Sequence, residues 1–305
     1  MKIAVVGASG AIGSALIPEL LHNTTHEIVL FSHHAKQQRY DPADEPRLTH
    51  IDGDVRDKTA ISNALNDCDI AVYLVHLMGS KEVGSQFTNA EAQAAETFAD
   101  AANANSVQRV VYVGGMGSDE ADLTQHLHSR QQTGVILKER VAQLIELHTP
   151  MVVGPRAAGF EVLRSFVDRF KILPLPSWAN GSSQPITITD VVRYILASIT
   201  LKDTNHLSAV IAGPETLTYS QVARRYAAYK RTHVLIIPVP LVSKHLAARI
   251  FKLIPNSPSA QTVADMVESA SYTTKADPSS AQKYFPNIKP EPIEQAFSLD
   301  YSTDG

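Results

Sequence analysis

An unbroken apolar run, Ile3 to Val6, stops at Gly7, and two more glycines follow at Gly10 and Gly13. Immediately afterwards apolar residues recur at helical spacing: Ile12, Leu16, Ile17, Leu20 and Leu21. This change of period predicts a buried parallel strand that turns sharply into a helix. The free N–H groups at the start of such a helix favour a bound phosphate. Gly7 can take tight-turn backbone angles, and Gly10 keeps a Cβ away from an approaching pyrophosphate. Gly13 lets the helix sit close to the strand. With strand, glycines and helix in that order, the motif predicts a dinucleotide site formed by Gly7, Ser9, Gly10, Ala11, Ile12 and Gly13.

The middle glycine comes one residue later than in the commonest G-x-G-x-x-G fingerprint. With Ala8-Ser9 between the first two glycines, the turn resembles that of extended and atypical short-chain dehydrogenases/reductases. The rest of the chain supports that class. Strand and helix signals alternate to about residue 153: strands at 27–31, 48–51, 70–74 and 110–113, with helices at 59–65, 89–104 and 131–142. A sixth strand is expected at 143–147, continuing through 151–153. This pattern predicts an α/β fold, a Rossmann-type doubly wound parallel sheet. Beyond 154, frequent prolines punctuate shorter elements, which reads as a smaller, mostly C-terminal α+β substrate lobe over 155–305. The NAD(P)-binding domain is expected at 1–154, with a later return at about 185–200. There a strand at 186–188 leads into a helix capped by Asp190. Further strands are expected at 208–212 and 234–237, with helices at 219–229, 241–253, 260–271 and 293–299.

Composition narrows the partners. A formal charge of −4 with both signs interspersed gives no basic footprint, so no nucleic-acid partner is expected. The single cysteine, Cys68, cannot form an internal disulfide and fits a reducing compartment. No apolar run reaches membrane-spanning length, and the first strand begins at residue 3. A cytoplasmic, soluble chain is the expectation.

The residues after the second strand choose between nicotinamide cofactors, because a carboxylate there binds the NAD ribose and a base accommodates the NADP phosphate. The segment here is Ser32-His33-His34-Ala35-Lys36, with no carboxylate before Asp41. Ser32, His33, His34 and Lys36 are therefore candidate contacts, and NADP(H) is favoured over NAD(H). Val75-His76 and Gly114-Gly115 end the fourth and fifth strands, where a Rossmann sheet presents its ligand crevice. The resemblance implies that Asp54, with Val55 beside it, accepts from the adenine amino group.

It also implies a catalytic tyrosine, a lysine four residues on, and a hydroxyl after the fifth strand. The hydroxyl position is glycine, Gly114 or Gly115, and the tyrosine–lysine slot falls on His126 and Arg130. These two are the weak catalytic candidates: histidine titrates near neutrality, whereas arginine can pair with a ribose or phosphate but cannot act as a base. The only Y-x-x-x-K, Tyr226 to Lys230, lies far past the sheet and reads as a solvated helix face. His126 and His128 lack a third ligand nearby, so no metal is expected.

The runs Val111–Gly117, His128–Gly134, Gln184–Tyr194, Gly213–Tyr219 and Ile236–Pro240 narrow the resemblance. They are similar to the NmrA-like branch and to the nucleotide-binding subunit of respiratory complex I, whose members often lack the tyrosine–lysine pair. Relatives tend to carry arginine after the sixth strand, where this chain has His148. Three functions follow: hydride transfer to a small carbonyl or quinone-like acceptor, a non-catalytic NADP(H)-sensing protein with a protein partner, and a sugar-nucleotide epimerase or dehydratase. The last is the weakest, because that chemistry depends most on the tyrosine.

Overall fold

The computed structural model describes residues 1–77, 85–116, 125–176, 181–202, 205–239 and 276–299. Its first strand, β1 (Lys2–Val6), lies inside a seven-stranded sheet. It is flanked by β2 (Glu27–Ser32) and β4 (Ile70–Tyr73), and β3 (Leu48–Asp52) lies beyond β2. On the other side follow β5 (Arg109–Gly115), β6 (Leu144–Thr149) and β11 (Leu207–Val210). All seven strands are parallel, in the order β11-β6-β5-β4-β1-β2-β3. The order reverses between β1 and β4, which opens a crevice at their carboxyl ends.

Both faces are covered at the middle of the sheet, so β1, β2, β4 and β5 are buried along almost their whole length, whereas the outer β3, β6 and β11 carry polar residues. Ile3, Val5, Leu30, Val72, Val111 and Ile145 pack against α1 (Ala11–Asn23) and α6 (Ile188–Thr200). Ala4, Val6, Phe31, Tyr73 and Tyr112 face α2 (Lys58–Leu65), α3 (Ser85–Ala104) and α4 (Gln125–Arg140). A third apolar cluster joins α5 (Ala158–Phe170) to α7 (Tyr219–Tyr229) and the short helix at Glu294–Phe297. There Phe160 stacks on Phe297 at 5.6 Å, and Tyr226 meets Phe160 edge-on. Two parallel strands lie beside it, β8 (Ile172–Pro176) and β13 (Leu235–Val239). A short antiparallel pair, β9 (Ser182–Ser183) and β12 (Leu217–Thr218), leads into α7.

Several expectations change. The helix expected from residue 131 starts at Gln125, its first turns being too polar to show an apolar period. The sixth strand does not continue to Val153. Pro150 has no N–H to give the ladder, and β7 (Val152–Val153) pairs instead with β10 (Ile186–Thr187). Thr187, not Asp190, caps α6: its Oγ1 accepts the Asp190 N–H at 3.0 Å and donates to the Asp190 carboxylate at 2.9 Å. Helix α5 is an addition to the expected elements; Phe160, Leu163 and Val167 mark its buried face between two proline-bearing stretches. Tyr226 is not on a solvated face but 2 % exposed, its hydroxyl donating to Asp168 at 3.1 Å. The helices expected at 241–253 and 260–271 lie outside the described residues. Among the described residues no helix is long and apolar enough to cross a membrane.

Candidate functional site

The glycine turn stands at the mouth of the crevice. Gly7 has φ +97°, and a Cβ there would lie 3.0 Å from the Leu74 carbonyl carbon, so both backbone angle and space select glycine. Gly10 is extended, exposed, and forms the N-cap of α1; an added Cβ would meet only the Gly7 carbonyl oxygen, at 3.2 Å. Its outer side is open. Gly13 is the reverse case, buried, with an added Cβ 2.5 Å from the Gly7 oxygen and 2.6 Å from that of Ala8. The turn's own carbonyls, rather than the strand, impose this glycine. No carboxylate occupies the first turn of α1, so the helix itself does not offset the positive end of its dipole beside Ser9, Ala11 and Ile12.

On the β2 side the loop from Ser32 to Lys36 runs along the rim. Ser32 is buried and its Oγ accepts the His34 N–H at 3.3 Å, while His33, His34 and Lys36 are exposed. The fold adds a carboxylate that the local sequence lacks: Asp52, at the end of β3, accepts the Lys36 N–H at 2.9 Å. Gln38 reaches back to donate to the Ala8 carbonyl at 3.1 Å. Asp54 lies at the same end of the sheet, where Arg56 pairs with its carboxylate at 2.7 Å and holds its pKa below the usual range. Val55 beside it is buried.

On the other side, β4 leads into Val75 and His76, both half-buried, and β5 ends in buried Gly114 and Gly115. Gly114 and Gly115 lie opposite His148 and Thr149 of β6. His148 is therefore within that strand, bonded to Ser208 at 2.8 Å. A hydroxyl does stand beside the glycines: Thr149 donates to the Gly114 carbonyl at 3.1 Å. His126 belongs to α4, but its side chain lies outside the described residues. The guanidinium of Arg130 lies beside Glu91 and Tyr112, where burial lowers its pKa without uncharging it.

A family model described as NAD(P)H-binding matches residues 7–147, the span that builds this crevice. The matched span is an NAD(P)H-binding domain of Rossmann type. Solved structures share its fold at low identity. A nucleoside-diphosphate-sugar epimerase from Staphylococcus aureus superposes with a TM-score of 0.74 at 13% identity, over 97% of this chain and 99% of that one. A UDP-glucuronic acid 4-epimerase from Bacillus cereus, in complex with NAD, gives 0.73 at 16%, over 99% and 97%. A UDP-glucose 4-epimerase from Bifidobacterium longum, in complex with NAD+ and UDP, gives 0.70 at 14%, over 97% and 96%.

In this NAD(P)H-binding domain the most unusual group near the crevice is Glu91, which sequence reasoning missed. It sits on α3 at 4 % exposure, among alanines that pack on the sheet. The Leu77 N–H donates to its Oε1 at 3.0 Å, the Ser129 hydroxyl bonds its Oε2, and His76 Nδ1 is 4.0 Å away. The other ring nitrogen of His76 lies 3.2 Å from the Val113 carbonyl, which can only accept, so Nε2 carries the hydrogen. The cluster thus ties α3 and α4 to the ends of β4 and β5. The signal was present: a carboxylate one residue after Ala90, on the face continued by Ala94, Ala95 and Phe98.

Burial raises the Glu91 pKa, against the opposing effects of Ser129, the Leu77 N–H and Arg130. A raised folded-state value means that the neutral acid's stabilisation is complete below the ordinary glutamate pKa and is lost as pH rises through the folded value. Glu91→Gln keeps an acceptor for the Leu77 N–H and a hydrogen-bonding group beside the Ser129 hydroxyl but cannot ionise. Urea unfolding at pH 5 and pH 8 should therefore show the variant gaining on the native protein at the higher pH. An equal difference at both values would mean that Glu91 does not change ionisation on folding.

Proposed function

We propose that this chain binds NADP(H) in preference to NAD(H) and transfers hydride to a small carbonyl or quinone-like acceptor. The observation that carries the reading is the glycine turn at the reversal point of the sheet, with an open Gly10 and a first helical turn free of carboxylates. When bound, the reduced nicotinamide supplies the hydride. The chain's own part is to hold it: Gly7 to Gly13 receive the pyrophosphate, and Ser32, His33, His34 and Lys36 the ribose. Asp54 and Val55 take the adenine, and Val75, His76, Gly114 and Gly115 line the nicotinamide end. Orientation of the acceptor then supplies rate without a dedicated phenol. The acceptor cleft lies between a nucleotide-binding portion, 1–154 with the return through β10 and α6, and the remainder of the chain. On its sequence resemblance we place the chain among the atypical short-chain dehydrogenases/reductases, on their NmrA-like side.

The names of the structural neighbours favour a second reading, sugar-nucleotide epimerisation with NAD as cofactor. Against it, α4 carries no tyrosine from Gln125 to Arg140. A third, NADP(H) sensing without catalysis, uses the same cofactor site. Thermal-shift titration tests what all three share. NADPH at a hundredfold over its Kd should stabilise the fold by about 2.7 kcal/mol, and no response to NADPH or NADH would remove the site assignment. Turnover with a quinone panel then separates the first reading from the third, and with UDP-sugars from the second.

Cofactor choice is tested separately. His33 and Lys36 are exposed on the rim, whereas Asp52 and Asp54 are the acidic groups beside it. If the basic pair meets the 2′-phosphate, the double alanine variant should lose NADPH affinity on the order of 1–2 kcal/mol and leave NADH unchanged. The native preference should shrink as salt rises. Equal affinities for both cofactors in the native protein would overturn the preference.

A further inference from the structure

We propose that Arg156, from the segment that follows the nucleotide-binding portion, is a phosphate-binding residue that closes over the glycine turn. The inference rests on the dinucleotide reading above and extends it to a residue far away in sequence. Arg156 Nη2 donates to the Ser9 carbonyl oxygen at 2.7 Å. A guanidinium therefore stands at the outer rim of the turn, against the residue between Gly7 and Gly10, while remaining exposed. A neutral carbonyl is a modest partner for this group. A pyrophosphate at the open side of Gly10 would offer it charge and two-pronged geometry.

The backbone supports a placed rather than incidental side chain. Arg156 has φ +60°, in the left-handed region. The other non-glycine residues of this kind among those described, Asp67, Ser106, Lys171 and Arg231, each follow the end of a helix, where such a conformation closes the last turn. Arg156 instead precedes α5. Its N–H donates to Glu161 Oε1 at 3.2 Å, and Glu161 is itself gripped by Arg164 at 2.7 Å. Two residues of α5 thus hold the strained residue so that its side chain reaches the turn. Backbone strain of this sort is retained where the surroundings over-determine it.

The test uses the full chain and four proteins: native, Arg156→Ala, Arg156→Lys and Arg156→Gly. NADPH, ADP-ribose and adenosine are titrated by calorimetry at low and high salt. Arg156→Ala should weaken NADPH and ADP-ribose by about tenfold, as expected for a lost charge-assisted contact, and leave adenosine unchanged. Its affinity should also fall less steeply with salt than that of the native protein. Arg156→Lys should recover part of the loss. Arg156→Gly should raise the melting temperature of the ligand-free protein, because glycine accepts the positive φ, while binding as weakly as the alanine variant. Opposite changes in stability and affinity cannot come from a merely structural role. Native-like affinity in the alanine and glycine variants would overturn the proposal while leaving the dinucleotide site intact. Absence of binding by the native protein would remove both.

Discussion

Gly10→Val should fold like the native protein and lose NAD(P)(H) binding by about a hundredfold or more, equivalent to about 2.7 kcal/mol. The backbone at Gly10 has φ −72° and ψ 173°, which valine adopts freely, and a Cβ has only one near neighbour. The variant forfeits a glycine N-cap, a cost of about 1 kcal/mol, or about 2–4 °C in Tm for a chain of this size. Its branched side chain stands where the main chain must meet the pyrophosphate. Gly13→Ala should do the opposite. In a helix, alanine ordinarily gains about 1 kcal/mol over glycine. Here its Cβ would lie 2.5 Å and 2.6 Å from two backbone oxygens, so the turn must open and stability should fall by about 3 kcal/mol. Chemical denaturation and cofactor titration on both variants decide the matter. If Gly10→Val binds normally, the pyrophosphate is not at this turn.

What could be read before the structure, and what could not, follows from where the information resides. The β1–α1 unit was legible because its period changes within three glycines, and β1, β2, β4 and β5 are built on short apolar runs. Helix α7 was legible for a similar reason, being closed by a capping box between Thr218 and Gln221. Helix α5 was obscured not by its own pattern, since Phe160, Leu163, Phe166 and Val167 recur at helical spacing, but by Pro155 and Pro174, which break the rhythm on either side of it. Tyr226 was misread because its neighbours Arg224, Arg225 and Tyr229 are polar, whereas its own direction is set by Phe160 and Phe297 across the cluster. At the site, the glycines were readable as backbone requirements. Glu91 with Ser129, Asp52 with Lys36, and Arg156 with Ser9 were not, because each pairs residues from different elements. Only the parallel order of the sheet brings them to one edge.

The same pairings bear on catalysis, where the expected result is negligible oxidation of simple alcohols and sugars. A phenol-type general acid typically contributes about a hundred- to ten-thousandfold. Neither Tyr112 nor Tyr226 can serve. Tyr112 is fully buried, its hydroxyl donating to the Arg130 carbonyl at 3.1 Å, with a pKa pushed upward by burial. Tyr226 is held on Asp168, within the third apolar cluster. Thr149 offers a hydroxyl beside Gly114, but it is buried and committed to that carbonyl. Hydride acceptors that need little proton help should fare best, and quinones fit because their reduced oxyanions are weaker bases than alkoxides. NADPH oxidation should thus be slow with quinones, undetectable with simple ketones, and largely unchanged in His126→Ala. Robust alcohol oxidation would show that a proton donor has been overlooked. A loss of about a hundredfold or more in His126→Ala would instead assign that histidine the tyrosine's task, at the spacing from Arg130 at which short-chain dehydrogenases place tyrosine and lysine.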